Sequence, residues 1–198
     1  MIADLIRKNR SCRRFYQKQT IAMELLEELV NLGRLSASGG NLQPLKYIIS
    51  CEPDKNAEIY DCLAWAAYLK DWPGPREGER PSAYIVILAD NQISKDVGCD
   101  HGIAAQNILL GAREEGLAGC MIGSIRRQRL REVLAVDPQF TILLVIALGK
   151  PKEDITIDSI GPGESIKYWR DANGVHHVPK RALPEVIIGS YDTPAKER

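Results

Sequence analysis

The sequence predicts an α+β chain built as a three-layer α/β/α sandwich. Helical and strand-like patterns alternate along the chain, which calls for layers of both kinds. The strand-like runs are apolar throughout, so each needs cover on both faces. A third observation removes a competing fold. Neither GxGxxG nor a Walker P-loop is present, so a Rossmann domain is not expected.

The elements follow in order. Ile2, Leu5 and Ile6 recur at helical spacing over 2–8. Leu25, Leu26, Leu29, Val30 and Leu32 form a clearer stripe over 21–34, with Thr20 as the expected N-cap and Gly33 as the expected stop. SASGGNLQP (36–44) is a loop and LKYIISC (45–51) a strand. Residues 54–70 read as a helix with Ile59, Leu63, Ala66, Ala67 and Leu69 on its apolar side. DWPGPREGERP (71–81) holds three prolines and two glycines, and reads as a mobile loop or lid. AYIVILA (83–89) is a buried strand. From Cys99 to Glu115, small and apolar residues recur on nearly every side of the helical wheel, the mark of a helix buried on most faces. GCMIGS (119–124) is a short strand, 126–135 a charged helix and FTILLVIALG (140–149) a central strand. Beyond Lys150, Pro, Gly and charge dominate as far as Lys180, without a strong core element. The chain reads as one domain, 1–198, with 151–198 an extended C-terminal arm lying over another surface.

Composition narrows the function. With 198 residues, 44% hydrophobic and 26% charged, the chain suits an ordinary soluble globule. Its 26 basic residues balance 26 acidic ones, which argues against bulk electrostatic binding of nucleic acid. No run approaches the ~18 apolar residues of a membrane span. The start, MIADLIRKNR, lacks the apolar core and cleavage site of a signal peptide, so a cytoplasmic location is expected. Five widely spaced cysteines without a CxxC are expected to be reduced and mostly buried.

The charge is local. Six Lys or Arg and no acidic residue lie between Leu5 and Met23. Arg10, Ser11 and Arg13 are suited to a phosphate, because guanidinium forks match its oxygens. A solvated basic face competes with that reading, and Arg7, Lys8 and Arg14 are assigned to it. Cys12 is expected to point inward. In SASGGNLQP, Ser38 and Asn41 offer hydrogen bonds while Gly39 and Gly40 permit close backbone approach. A tight helix-to-strand connection is the alternative. Lys180 and Arg181 are an adjacent basic pair and a weak signal alone. His101 is expected to be a structural donor, and His176 and His177 lack partners for a metal site. Trp65 is expected to pin the variable loop to the body. For Trp72, pinning and stacking on a ligand stay open. There is no nucleophile–base pair and no metal cluster in the sequence.

Taken in order, NRSCRRF, SASGGNLQP, GIAAQNILLGAREEGLAGCMIG (102–123) and LLVIALGKPKED (143–154) resemble the FMN-dependent nitroreductase family. The family forms are RRSxRxF and APSxxNxQPW. The resemblance implies the nitroreductase-like fold as an obligate homodimer, with FMN at the subunit interface. It implies that Arg10, Ser11 and Arg13 hold the phosphate, ribityl chain and pyrimidine edge, with Arg13 near N1 and O2. Lys180 and Arg181 would close on the phosphate. Ser38, Asn41 and Gln43 would reach the flavin bound mainly by the partner, and Met121, Ile122 and Gly123 would lie near the ring. NADH or NADPH would be the reductant, in ping-pong order, with a nitroaromatic, quinone or similar small acceptor. Asn9, Ala37 and Leu45 depart from the motifs, where the family has Arg, Pro and Trp. The middle segment, LAWAAYLKDWPGPREGERP, also departs from better-known members. Other readings remain at this stage: specialised flavin chemistry such as dehalogenation or flavin fragmentation, a flavin-binding or sensing protein without turnover, and a small phosphate-ligand or nucleic-acid binder.

Overall fold

In the computed structural model, which describes residues 1–192, four apolar runs pair into one sheet. They are β1 (Leu45–Ser50), β2 (Ala83–Asp90), β3 (Ala118–Ile122) and β4 (Phe140–Gly149). The order is β1-β2-β4-β3 and the pairings are antiparallel. Helices α2 (Met23–Arg34) and α4 (Asp100–Glu114) cover one face, where Leu26, Leu29, Ala105 and Ile108 pack with Ile85 and Ile87. Helices α3 (Pro53–Tyr60) and α5 (Arg127–Val133) cover the other, where Ile59 and Leu130 pack with Tyr84 and Val86. Alternate residues of β2 thus enter two different cores, which is why its sequence is apolar without a break. The short helix α1 (Ile2–Lys8) buries none of its residues. Among the described residues no helix is long and apolar enough to cross a membrane.

Local expectations fail where tertiary partners outweigh spacing. Ala22, not Thr20, is the N-cap of α2, and it contributes no side-chain bond. Gly33 lies inside α2 rather than after it. A Cβ there would stand 2.9 Å from Cδ1 of Ile108, so this glycine admits α4. The helix expected over 54–70 ends at Tyr60. Leu63 bridges to Ile125 and Ala66 takes φ +39°, while Trp65 stacks on Tyr60 with centroids 5.7 Å apart. Sheet and ring contacts therefore override the helical pattern after Tyr60. The 71–81 segment is irregular, as its prolines require, yet its second half is tied down. Tyr60 donates to the Pro75 carbonyl at 2.8 Å, and Gly78 N and Arg80 N donate to the Gln17 side chain at 2.7 and 3.1 Å.

The first compact unit is Met1–Glu153; a second, Asp154–Arg198, has its own small sheet. It consists of β5 (Ile155–Ile160), β6 (Trp169–Arg170) and β7 (His176–Arg181) in the order β5-β7-β6, followed by α6 (Leu183–Val186). The sequence predicts no strong core element between Lys150 and Lys180, and these strands are regular but mostly half-buried or exposed. Polar and aromatic contacts hold them. His177 Nδ1 lies 3.0 Å from Asp158 Oδ2, and its ring stacks on Trp169 with centroids 4.0 Å apart. Such a sheet leaves little apolar signal. Of the expected arm over 151–198, residues 193–198 lie outside the described residues.

The anchor of the 71–81 segment is Glu79, whose side chain is 4% exposed. Arg14 donates to it through Nε at 3.0 Å and Nη2 at 2.8 Å, and Lys152 Nζ lies at 3.1 Å. Arg14 first, with Lys152, holds the Glu79 carboxyl down from 4.5 to about 2, against the upward push of burial. The folded value is the depressed one. The stabilisation is therefore full above about pH 4.5 and lost as pH falls toward about 2. Glu79→Gln should cost about 1.5–3 kcal/mol near neutral pH, because it takes the charge out of the hydrogen bonds to Arg14 and Lys152. Urea unfolding should show the gap from the parent closing below about pH 4.5; a constant gap would count against the tie.

Candidate functional site

The basic segment is laid out by its apolar residues. After α1, buried Asn9 receives the chain and residues 10–15 run extended. Cys12 and Phe15 are fully buried and fix the spacing. Cys12 N donates to the Gly119 carbonyl at 2.9 Å, and Ser11 pairs with Gly119 alongside β3. Arg13 N donates to the Glu153 carboxylate. Only glycine fits at 119, because a Cβ there would stand 2.6 Å from the Ala147 carbonyl oxygen. Cys12 points inward as expected, and burial pushes its thiol up to about 12.

Ser11 and Arg13 are thereby brought to the edge of β3, while Arg10 precedes them and turns back toward α1. Arg10 Nη2 donates to the Ile6 carbonyl at 2.8 Å, while its Nε is buried without a hydrogen-bond partner in the protein. Burial pushes the Cys120 thiol up, and the charge of Arg13 and a hydrogen bond with Ser11 act in the opposite direction. Both side chains therefore reach β3. Arg14, expected on a solvated face, is instead the partner of Glu79. Further along β3, Met121 is half-buried and Ile122 is buried in the core on the α3 and α5 side. Ile122 can meet a ligand through its backbone alone. Gly123 is exposed, with open space where a Cβ would stand.

The SASGGNLQP loop is shaped by an acid that the sequence does not single out. Asp100, in the first turn of α4, is 6% exposed. Ser38 Oγ donates to its Oδ2 at 2.6 Å and Gly39 N donates to its Oδ1 at 3.0 Å. Ser38 Oγ also accepts from Gln43 N at 2.9 Å. Asn41 and Gln43 take φ +55° and +53°, the left-handed region that favours glycine and, after it, asparagine. Both are exposed. A cavity of about 400 Å³ lies beside this loop, bounded by Ser38, Gln43, Arg34, Tyr47 and Asp100.

Helix α4 separates the two clusters. Asp100 opens it and holds the loop; after its last turn the chain enters β3, where Ser11 pairs. Its 15 residues at about 1.5 Å each span about 22 Å. Lys180 and Arg181 close β7 in the second unit and are exposed, with Arg181 Nη1 3.4 Å from Glu185. His101 is half-buried at the start of α4, and its Nδ1 has no hydrogen-bond partner in the protein, so that atom does not act as the expected donor.

Comparison with known proteins matches the nitroreductase family model over residues 6–150. The chain belongs to the nitroreductase family. A protein of Archaeoglobus fulgidus, named as an NADH dehydrogenase/NAD(P)H nitroreductase, is 28% identical over 149 residues, covering 71% of this chain and 80% of its own. The NADPH-flavin oxidoreductase of Vibrio harveyi is 26% identical, covering 96% and 78%. Among solved structures, an FMN-dependent nitroreductase of Clostridium difficile superposes with a TM-score of 0.63 at 24% identity, covering 76% and 87%. The mixed α+β fold of the chain is thus shared with solved structures of the family.

The Asp100 clamp has a measurable consequence. Asp100→Asn removes the charge from two hydrogen bonds and should cost about 2 kcal/mol in thermal unfolding. Amide exchange at Gly39 should quicken in the same variant. Unchanged exchange there would show that the loop keeps its shape without the carboxylate.

Proposed function

We propose that this protein is an FMN-dependent NAD(P)H oxidoreductase, a homodimer that places each FMN between its subunits and reduces a small acceptor such as a nitroaromatic or quinone. The observation that carries the reading is the row of donors along β3. Ser11 and Arg13 flank the buried Cys12 there, and Arg10 precedes them in the same segment. A buried Arg10 Nε without an acceptor and the open space at Gly123 fit a phosphate-bearing flavin. The names of the Vibrio harveyi and Clostridium difficile relatives support the same reading.

Bound FMN would supply the hydride chemistry between NAD(P)H and the acceptor, and the protein would supply orientation and electrostatics. Arg10 and Ser11 would bind phosphate and ribityl oxygens. Arg13 would place positive charge at the pyrimidine edge, near N1 and O2. Lys180 and Arg181 would add charge for the phosphate. Met121 and the backbone of Ile122 and Gly123 would line the ring. Ser38 gives its hydroxyl proton to Asp100, so it shapes the loop and leaves Asn41 and Gln43 to reach the partner's cofactor. The length of α4 supports that division, since it separates the loop from the basic segment within one chain. NAD(P)H and the acceptor would use one ring face in turn, in ping-pong order.

The test is a visible spectrum after loading with FMN and dialysis, then chromatography of the heat-released ligand. A yellow protein releasing FMN, and oxidising NADH or NADPH with a nitroarene or quinone, is expected. Arg10→Ala with Arg13→Ala should strip the flavin, since each charge-assisted bond contributes about 1.5–3 kcal/mol. Full flavin retention by the folded double variant would overturn the phosphate assignment. A protein that cannot be loaded would overturn the whole reading.

A further inference from the structure

A second cavity, of about 680 Å³, opens where the 77–82 segment meets α3 and the start of β2. Its size falls within the range of about 300–1,000 Å³ usual for small-molecule sites. It shares no lining residue with the proposed flavin site. Tyr60, Pro53 and Pro81 give it apolar walls; Lys18, Thr20 and Arg80 add donors. Asp54 and Glu77 are its acidic members.

Two donors in this cavity have nothing to donate to. Tyr84 is 1% exposed, and its hydroxyl has no hydrogen-bond partner in the protein. Arg80 Nε is also buried and without a partner. Neighbouring groups do not share this state. Asn56 accepts from Ser50 Oγ at 2.8 Å and donates to the Ser82 carbonyl at 2.8 Å. Buried donors are almost always matched, so two unmatched ones on the wall of one cavity call for an acceptor. The Arg80 guanidinium carbon lies over the Tyr60 ring, 4.1 Å from its centroid. Its ion pair with Glu77 is loose, at 3.4 Å, and the Glu77 side chain is 74% exposed.

We propose that this cavity binds a small monocarboxylate with a flat apolar body. The carboxylate would accept from Tyr84 and Arg80, and the body would lie against Tyr60 and the prolines. A single negative charge suits the cavity. A phosphate dianion would carry more charge toward Asp54 and Glu77.

Benzoate is the probe, titrated calorimetrically into the full chain. Saturable binding near one per subunit is expected. Tyr84→Phe should weaken it about tenfold, the loss of one hydrogen bond to a charged group, and Arg80→Gln should weaken it further. Tyr84→Phe removes an unmatched hydroxyl, so its thermal midpoint should equal or exceed the parent's. Benzyl alcohol, which lacks the charge, should not bind saturably. The Arg10→Ala, Arg13→Ala variant should bind benzoate as the parent does, which separates this site from the flavin site. Absence of saturable benzoate binding would overturn the proposal. So would binding that survives both Tyr84→Phe and Arg80→Gln, or binding of inorganic phosphate in place of benzoate. A colourless protein that still binds benzoate in this way would sink the flavin reading and leave this one standing.

Discussion

A carboxylate removed from water must be met by donors, and Glu79 meets this requirement in a way that orders much of the first unit. It draws in Arg14 and Lys152 and so joins the N-terminal segment, the irregular stretch before β2 and the chain leaving β4. By engaging Arg14 it also decides which cations of the basic segment remain for other work. Two further buried acids act in the same manner. Glu153 takes the backbone N–H of Arg13, and Asp100 takes Ser38 and Gly39. A region that looks simply basic in sequence is arranged by acids.

That explains what sequence reasoning reached and what it missed. Runs with one strong signal were legible: β2 and β4 from unbroken apolar character, α4 from small residues on all sides, α2 from its stripe. The stretch after Tyr60 was misread as helix because its leucine and alanine spacing is helical, whereas Trp65 and Leu63 answer to Tyr60 and Ile125. β5 escaped because ITIDSI alternates weakly and packs through polar neighbours. At the site, the donors were visible as residue types, but their organisers were not. Asp100 lies far along the chain from Ser38, and Glu79 sits in a stretch crowded with charge. A lone acid in such company gives no local sign that it will be buried.

Helix α4 combines two duties. Its inner face completes the core with Ala105 and Ile108, and its two ends carry the loop and the approach to β3. A change in its length would therefore move the two clusters relative to each other while leaving each intact. The short side chains along it have a related role: Leu29 and Leu32 of α2 approach Gly111 closely enough that a Cβ would crowd them. Core packing and site spacing are set by the same fifteen residues.

The pairing of Ser11 with Gly119 and of Phe15 with Pro151 bears on how the protein is made. Both partners lie far downstream, so the basic segment leaves the ribosome well before them. Contacts of such separation form slowly, after the intervening chain has collapsed. The basic segment is thus synthesised before the residues it pairs with and seated after them. Until those residues emerge it is a cationic stretch without its strand or its carboxylate partners.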